Sequence, residues 1–256
     1  MHHVDAGAAV VLAAAGLIAG AVNAIAGGGS LISFPALLWA GYAPVVANIT
    51  NAVALLPGYA GGTFGYRREL RGQEARARRL LGVSVAGAVA GSVLLLAGPA
   101  SVFSRVVPWL ILFSCAVLAA QPAVARRLRS RRAAPAAEDG HVAPALLAAQ
   151  LVGAAYGAYF GAGLGVLMLA LLGIFVDDGL QRLNALKGLL SLVINLVAVA
   201  CFLVTGRVAW GAVAIMAVAS LLGGRAGVTL ARRLNERLLR VLVIGFGLGV
   251  AIRLLL

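Results

Sequence analysis

Acidic residues, histidine, lysine and cysteine are all scarce in this chain of 256 residues, and each shortage removes a class of function. Its eight acids, Asp5, Glu69, Glu74, Glu138, Asp139, Asp177, Asp178 and Glu236, fall between apolar runs or at their ends, as do His2, His3 and His141. A proton relay through a bilayer is built from carboxylates or imidazoles inside the spans, so conventional proton coupling lacks its parts. No nucleophile with a base, and no metal-ligand set, lies within the apolar runs. The chain is therefore not expected to be an enzyme, to bind a metal or to carry another cofactor. Cys115 and Cys201 each sit inside an apolar run, which disfavours a disulfide and reads them as small core residues.

What the chain has in abundance is apolar length. It is 62% hydrophobic and 11% charged, with a mean hydropathy of +1.01, far from the composition of soluble domains. Apolar segments cover residues 7–26, 31–41, 44–64, 80–97, 106–125, 143–160, 164–176, 183–204, 208–230 and 238–256. A membrane crossing needs about 20 residues, so 31–41 and 164–176 are too short to span, and each follows a glycine cluster. Residues 7–26 also have the shape of a secretory h-region, but Met1–Asp5 before them carry no lysine or arginine, so cleavage is not expected.

The formal net charge of +13 comes from arginines placed between the spans. Arg67, Arg68, Arg71, Arg76, Arg78 and Arg79 form one basic loop, Arg126, Arg127, Arg129, Arg131 and Arg132 a second, and Arg232, Arg233, Arg237 and Arg240 a third. That placement reads as three cytoplasmic loops, with the lipid bilayer rather than nucleic acid as the partner. The stretch from Arg126 to His141 divides the chain into a first transmembrane repeat (1–125), a cytoplasmic linker (126–142) and a second transmembrane repeat (143–256).

Counting spans back from the third loop makes 143–176 a re-entrant or bent hairpin that enters and leaves on one side, and makes 7–41 the same device from the opposite face. Only Arg105, Arg207 and Arg253 then fall outside. GAVNAIAGGGSL (20–31) aligns with GAAYGAYFGAGLGV (153–166), and NITN (48–51) with NALK (184–187). The expected fold class is thus all-α: a polytopic membrane protein of about eight membrane helices in two inverted repeats, each beginning with a glycine-broken hairpin. Inverted repeats with broken helices are the pattern of secondary transporters, with the substrate where the breaks meet.

An interrupted helix exposes backbone groups that lipid cannot satisfy, so the break must be buried in protein or line a cavity. Gly27, Gly28 and Gly29 allow close approach and positive φ, and Ser30 is expected to cap a short helix starting at Leu31. Free N–H groups at such a terminus suit an anion. Close helix packing by Gly27, Gly29, Gly161 and Gly163 is the alternative role. Asn23 and Tyr156 precede their breaks, and Asn48, Thr50, Asn51, Asn184 and Lys187 lie at helical spacing on the segments that follow. Interhelical hydrogen bonding is the alternative for the asparagines. Lys187, the chain's single lysine, lies about 10 Å into its helix. It either faces the cavity as a counter-ion or snorkels to the cytoplasmic headgroups. Arg225, near another helix interior, reads as an anchor.

Two stretches, AGAVNAIAGGGSLISFPALLWAGYAPVVANITNAVALLPG (19–58) and GAAYGAYFGAGLGVLMLALLG (153–173) with NALKGLLSLVIN (184–195), resemble the TauE/SafE family of sulfite and organosulfur-anion exporters. The resemblance extends over nearly the whole chain. It implies a bacterial inner-membrane protein that moves sulfite, sulfoacetate or a related small organic or inorganic anion. The family's second glycine signature is often denser than GAGLG. An anion leaving a negative-inside cell gains about 2.3 kcal/mol per charge per 100 mV, so export needs no coupling ion. A homodimer is one assembly this leaves open. The competing readings are a passive channel for a small solute, which predicts flux without saturation, and a non-transporting scaffold, which predicts no anion binding.

Overall fold

The structure, a computed structural model, describes residues 5–25, 27–130, 142–204, 207–230 and 236–256. Among them the chain forms ten helices and no strand. The first half holds α1 (Ala6–Ile25), α2 (Ser30–Trp39), α3 (Pro44–Gly65), α4 (Glu74–Ala97) and α5 (Ala100–Ser130). The second holds α6 (Pro144–Tyr159), α7 (Leu164–Phe175), α8 (Leu180–Leu203), α9 (Trp210–Leu230) and α10 (Glu236–Leu255). Proline opens both α3 and α6, where its missing N–H costs no hydrogen bond and its φ already suits a helix.

Several boundaries differ from the sequence reading: α4 starts at Glu74 and α5 at Ala100, each six residues before the apolar segment. The helix expected from Leu31 starts at Ser30, and α5 continues through Arg126 and Arg127 to Ser130 because arginine is a good helix former beyond the apolar edge. Arg131, Arg132 and the linker to His141, with Arg232 and Arg233, lie outside the described residues.

Among the described residues, four helices are long and apolar enough to cross a membrane: α1 over Ala6–Asn23, α4, α5 over Ala100–Val124, and α8. The 10 residues of α2 and 12 of α7 rise only about 15 and 18 Å, against a hydrocarbon core of about 30 Å. Burial is distributed as lipid requires. Val10, Leu94, Val218, Leu242 and Ile252 are exposed, whereas Ser84, Ser92, Gln150 and Ser220 are fully buried. All three tryptophans are exposed, and Trp39 closes α2 while Trp210 opens α9, the helix-end placement of interfacial anchors. The protein is a multi-pass membrane protein.

The packing has a regular plan. Helix α1 packs on α9 and α6 on α4; α3 packs on α9 and α8 on α4; α2 meets α10 and α7 meets α5; α3 meets α8 and α5 meets α10. Exchanging α1–α5 with α6–α10 maps these pairs onto one another, while the contacts of α5 with α3, α2 and α8 have no equal at α10. One constant residue offset takes Asn48 to Asn184, Asn51 to Lys187, Ser84 to Ser220 and Gly87 to Gly223. The tightest seams are glycine against backbone. A Cβ on Gly20 would run into the Ser220 carbonyl and one on Gly223 into that of Leu17; Gly87 and Gly91 press in the same way on Leu151 and Ala155. Helices that lack a hydrophobic drive to associate gain contact by such close approach.

A polar clasp joins the α3–α4 and α7–α8 connections. Buried Asp178 accepts from Arg76 (3.2 Å) and from Arg182 Nε (2.9 Å), while Arg182 donates to Arg71 O and Gln73 Nε2 to Arg182 O. Removing one member of a buried pair leaves its partners uncompensated, which costs about 3 kcal/mol or more. Part of that is lost to solvent screening at Arg182, whose side chain is 31% exposed. Asp178→Asn is therefore expected to lower the thermal midpoint in detergent clearly; an unchanged midpoint would show that the clasp adds nothing to stability.

Candidate functional site

Both glycine breaks are tied down by the polar side chain that precedes them. In the first, Asn23 Oδ1 accepts from the Gly28 and Gly29 N–H groups at 3.1 and 2.7 Å, and Gly27 N–H donates to Val22 O at 3.0 Å. Gly27 and Gly28 take φ of 75° and 113°, open only to glycine at little cost. In the second break the Tyr156 hydroxyl donates to Ala162 O, the Ser114 hydroxyl lies within hydrogen-bond reach of Leu110 O, Ala162 O and the Tyr156 hydroxyl, and Gly161 and Gly163 take φ of 75° and 73°.

These bonds correct two expectations. The amides of Gly27, Gly28 and Gly29 do not form a free nest, because Asn23 and Val22 already satisfy them. Ser30 does not cap α2: Gly29 holds the N-cap position with no side-chain cap, and Ser30 is the first helical residue. Among the described residues, the Ala162, Gly163 and Gly165 N–H groups of the second break have no partner, and Gly165 lies in the first turn of α7, where an α-helix leaves its amides unpaired.

The two breaks touch. A Cβ built on Gly27 would stand 2.9 Å from Gly165 Cα, and one on Gly165 would stand 3.1 Å from Gly27 Cα and 4.0 Å from Lys187 Cδ. Around this contact the C-terminal half of α3 runs beside the N-terminal half of α8, with Thr63 against Gly188.

One small cavity borders the contact, and a second shares Tyr59 with it. The first, of about 40 Å³, is lined by Asn23, Gly27, Tyr59, Gly62, Thr63, Tyr66, Gly165, Asn184, Lys187, Gly188 and Ser191. The second, of about 10 Å³, is lined by Ser30, Asn48, Asn51, Leu55, Tyr59, Phe160, Gly161, Asn195, Ala198 and Phe202, among others. One water needs about 10 to 15 Å³, so the first holds a few waters and the second at most one.

The sequence candidates divide accordingly. Asn23, Gly27, Asn184 and Lys187 line the first cavity, and Ser30, Asn48, Asn51 and Gly161 the second. Gly28, Gly29, Thr50, Tyr156 and Gly163 line neither. Thr50 Oγ1 instead accepts from Ala209 N just before α9, and Gly163 packs on Ser114. Asn48 Nδ2 also donates to Tyr159 O at 2.9 Å, clamping the end of α6.

The polar chemistry of the two cavities is unequal. Lys187 makes no hydrogen bond and no ion pair among the described residues, and Ser191 Oγ beside it is buried without a partner. In the second cavity Asn51, the counterpart of Lys187, leaves its Oδ1 buried and unpartnered. Among the described residues no cluster of His, Cys, Asp or Glu could hold a metal. Open donors and one cation with no acid to neutralise it can hold a small anion.

A sequence model of the family described as "Sulfite exporter TauE/SafE" matches residues 12–254. The chain belongs to the TauE/SafE family. Its relatives include the "Probable membrane transporter protein ORF9" of Sinorhizobium sp, 28% identical over 94% of this chain and 90% of the relative. A "Probable membrane transporter protein" of Haemophilus influenzae is 26% identical over 91% and 89%. The "Probable membrane transporter protein YfcA" of Escherichia coli K12 is 26% identical over 89% and 82%. No solved structure matches the chain.

Sequence reasoning missed several lining residues of this TauE/SafE member: Tyr59, Thr63, Tyr66, Gly165, Ser191 and Asn195. A signal was present. Residues 48, 51, 55, 59, 62 and 66 form one helical stripe on α3, and 184, 187, 191, 195, 198 and 202 another on α8.

Proposed function

We propose that the protein is a secondary transporter that exports a small sulfur-containing anion, such as sulfite, sulfoacetate or a related sulfonate, across the bacterial inner membrane. Two inverted repeats rock about the touching breaks to give alternating access, with the basic loops on the cytoplasmic side. The single observation that carries this reading is the meeting of Gly27 and Gly165 next to an unpaired Lys187. The exchange of neighbours between α1–α5 and α6–α10 supports the repeat architecture, and the family name supports the substrate class. The proposed ligand groups are Lys187, Asn184, Ser191 and the Gly165 N–H, with Asn48 and Asn51 in the second cavity.

The test is a thermal-shift screen in detergent, followed by flux in proteoliposomes. An anion at 100 times its dissociation constant stabilises the folded state by about 2.7 kcal/mol. Sulfite or a sulfonate is expected to raise the midpoint while neutral solutes leave it in place, and the flux is expected to saturate and to follow membrane potential. If no oxyanion in a set of sulfite, sulfonates, sulfate and carboxylates shifts the midpoint, the reading fails.

A further inference from the structure

The two cavities are counterparts of one another. The offset that takes Asn51 to Lys187 also takes Asn48 to Asn184, Leu55 to Ser191 and Tyr59 to Asn195, and it takes Gly27 to Gly163, both at positive φ. Under that exchange most of the first cavity's wall becomes the wall of the second. They sit at successive depths along α3 and α8: the first reaches Tyr66 at the end of α3, and the second runs back to Asn48 near its start.

One side chain belongs to both. Tyr59 lines the first cavity and the second, and its side chain reaches the Ser30 hydroxyl at the head of α2. Directly before it stand Pro57 and Gly58. Proline has no N–H to give to the carbonyl of Val53, which loosens the α3 ladder at this level. Gly58 lies against the Ser220 carbonyl, at 3.2 Å from where its Cβ would be, so α3 approaches α9 closely at this level.

Resting on the anion-transport reading above, we infer that Tyr59 is the partition of one pathway, separating an inner station that holds Lys187 from an outer, uncharged station lined by Asn48, Asn51 and Asn195. The outer station, with room for at most one water, is too small to admit an oxyanion as it stands. Passage requires the walls to part in turn, with the ring closing whichever side is not open. Tyr59 is here a positioning and barrier residue, and the cation stays with the inner station throughout.

Two measurements test this. In proteoliposomes with sulfite as the probe, Tyr59→Ala is expected to lose saturation, so that flux rises in proportion to concentration. A folded Tyr59→Ala protein with the wild-type saturation curve would overturn the inference. The second measurement does not depend on flux or on the anion. In a Cys115→Ala, Cys201→Ala background, Tyr59→Cys is treated with a membrane-impermeant thiol reagent from one face of oriented vesicles and then from the other. Labelling from both faces is expected, since the partition is reached from whichever side is open; labelling from one face only, or from neither, overturns it. Should wild type carry no saturable sulfite flux while labelling occurs from both faces, the substrate reading falls and the partition stands.

Discussion

Lys187→Ala is expected to abolish saturable anion flux in proteoliposomes while leaving the protein folded. A hydrogen bond to a charged group contributes about 1.5 to 3 kcal/mol, and each 1.4 kcal/mol is about tenfold in affinity. Loss of the ammonium should therefore raise the half-saturating concentration about tenfold or more, or take flux to background. Folding survives for a reason visible in the site. Lys187 has no hydrogen bond or ion pair among the described residues, so its removal strands no partner. A partly buried cation without a counter-charge costs stability. The midpoint of Lys187→Ala in detergent should thus equal or exceed that of wild type, the usual trade between a destabilised site and its function. Lys187→Arg keeps the charge but brings a planar fork into about 40 Å³, and is expected to recover only part of the flux. Unchanged flux and half-saturation in Lys187→Ala would remove the lysine from the mechanism.

The second large effect is expected at the contact of the breaks. In Gly27→Ala the new methyl meets Gly165 Cα at 2.9 Å, backbone that no rotamer change can move aside, and the φ of 75° costs a further 1 to 2 kcal/mol, approximately. Flux should disappear and the midpoint should fall. Gly165→Ala, which is helical and meets Gly27 Cα at 3.1 Å, should be milder in stability yet still impaired in flux, because its methyl points toward Lys187. Gly82→Ala on α4, with nothing within 4 Å, is the control and should behave as wild type. A Gly27→Ala protein with wild-type flux and midpoint would mean that the touching breaks are not the working centre.

Much of the fold was legible because lipid imposes a simple code. Apolar length located each of the ten described helices, though α4 and α5 extend five or six residues past the apolar segments, and the glycine clusters marked where α2 and α7 stop short of a span. The separation of Asn48 from Asn51, and of Asn184 from Lys187, placed each pair on one helix face, and these residues do line the cavities.

What escaped was how donors are already used. Nothing in GAVNAIAGGGSL says that the Asn23 carboxamide folds forward to occupy the Gly28 and Gly29 amides, because that bond depends on the turn's three-dimensional path. Tyr156 was picked for its polarity near a break, yet its hydroxyl is spent on Ala162 O. Thr50 went the same way, holding Ala209. Tyr59 lies on the same α3 stripe as Asn48 and Asn51, but only the closeness of two separate hollows gives it a further meaning. Asp178 looked like a loop acid until Arg76 and Arg182, distant and near in sequence, converged on it.

Most helix neighbours exchange between the halves, but lysine stands in one and asparagine in the other. A carrier with identical halves would spend equal time facing either side when empty. An amine fixed in a single half lifts that degeneracy: its surroundings, and the voltage drop it senses, change each time the molecule rocks. On the proposed mechanism the vacant carrier therefore has a preferred posture, and influx and efflux of the same ion should show different half-saturation.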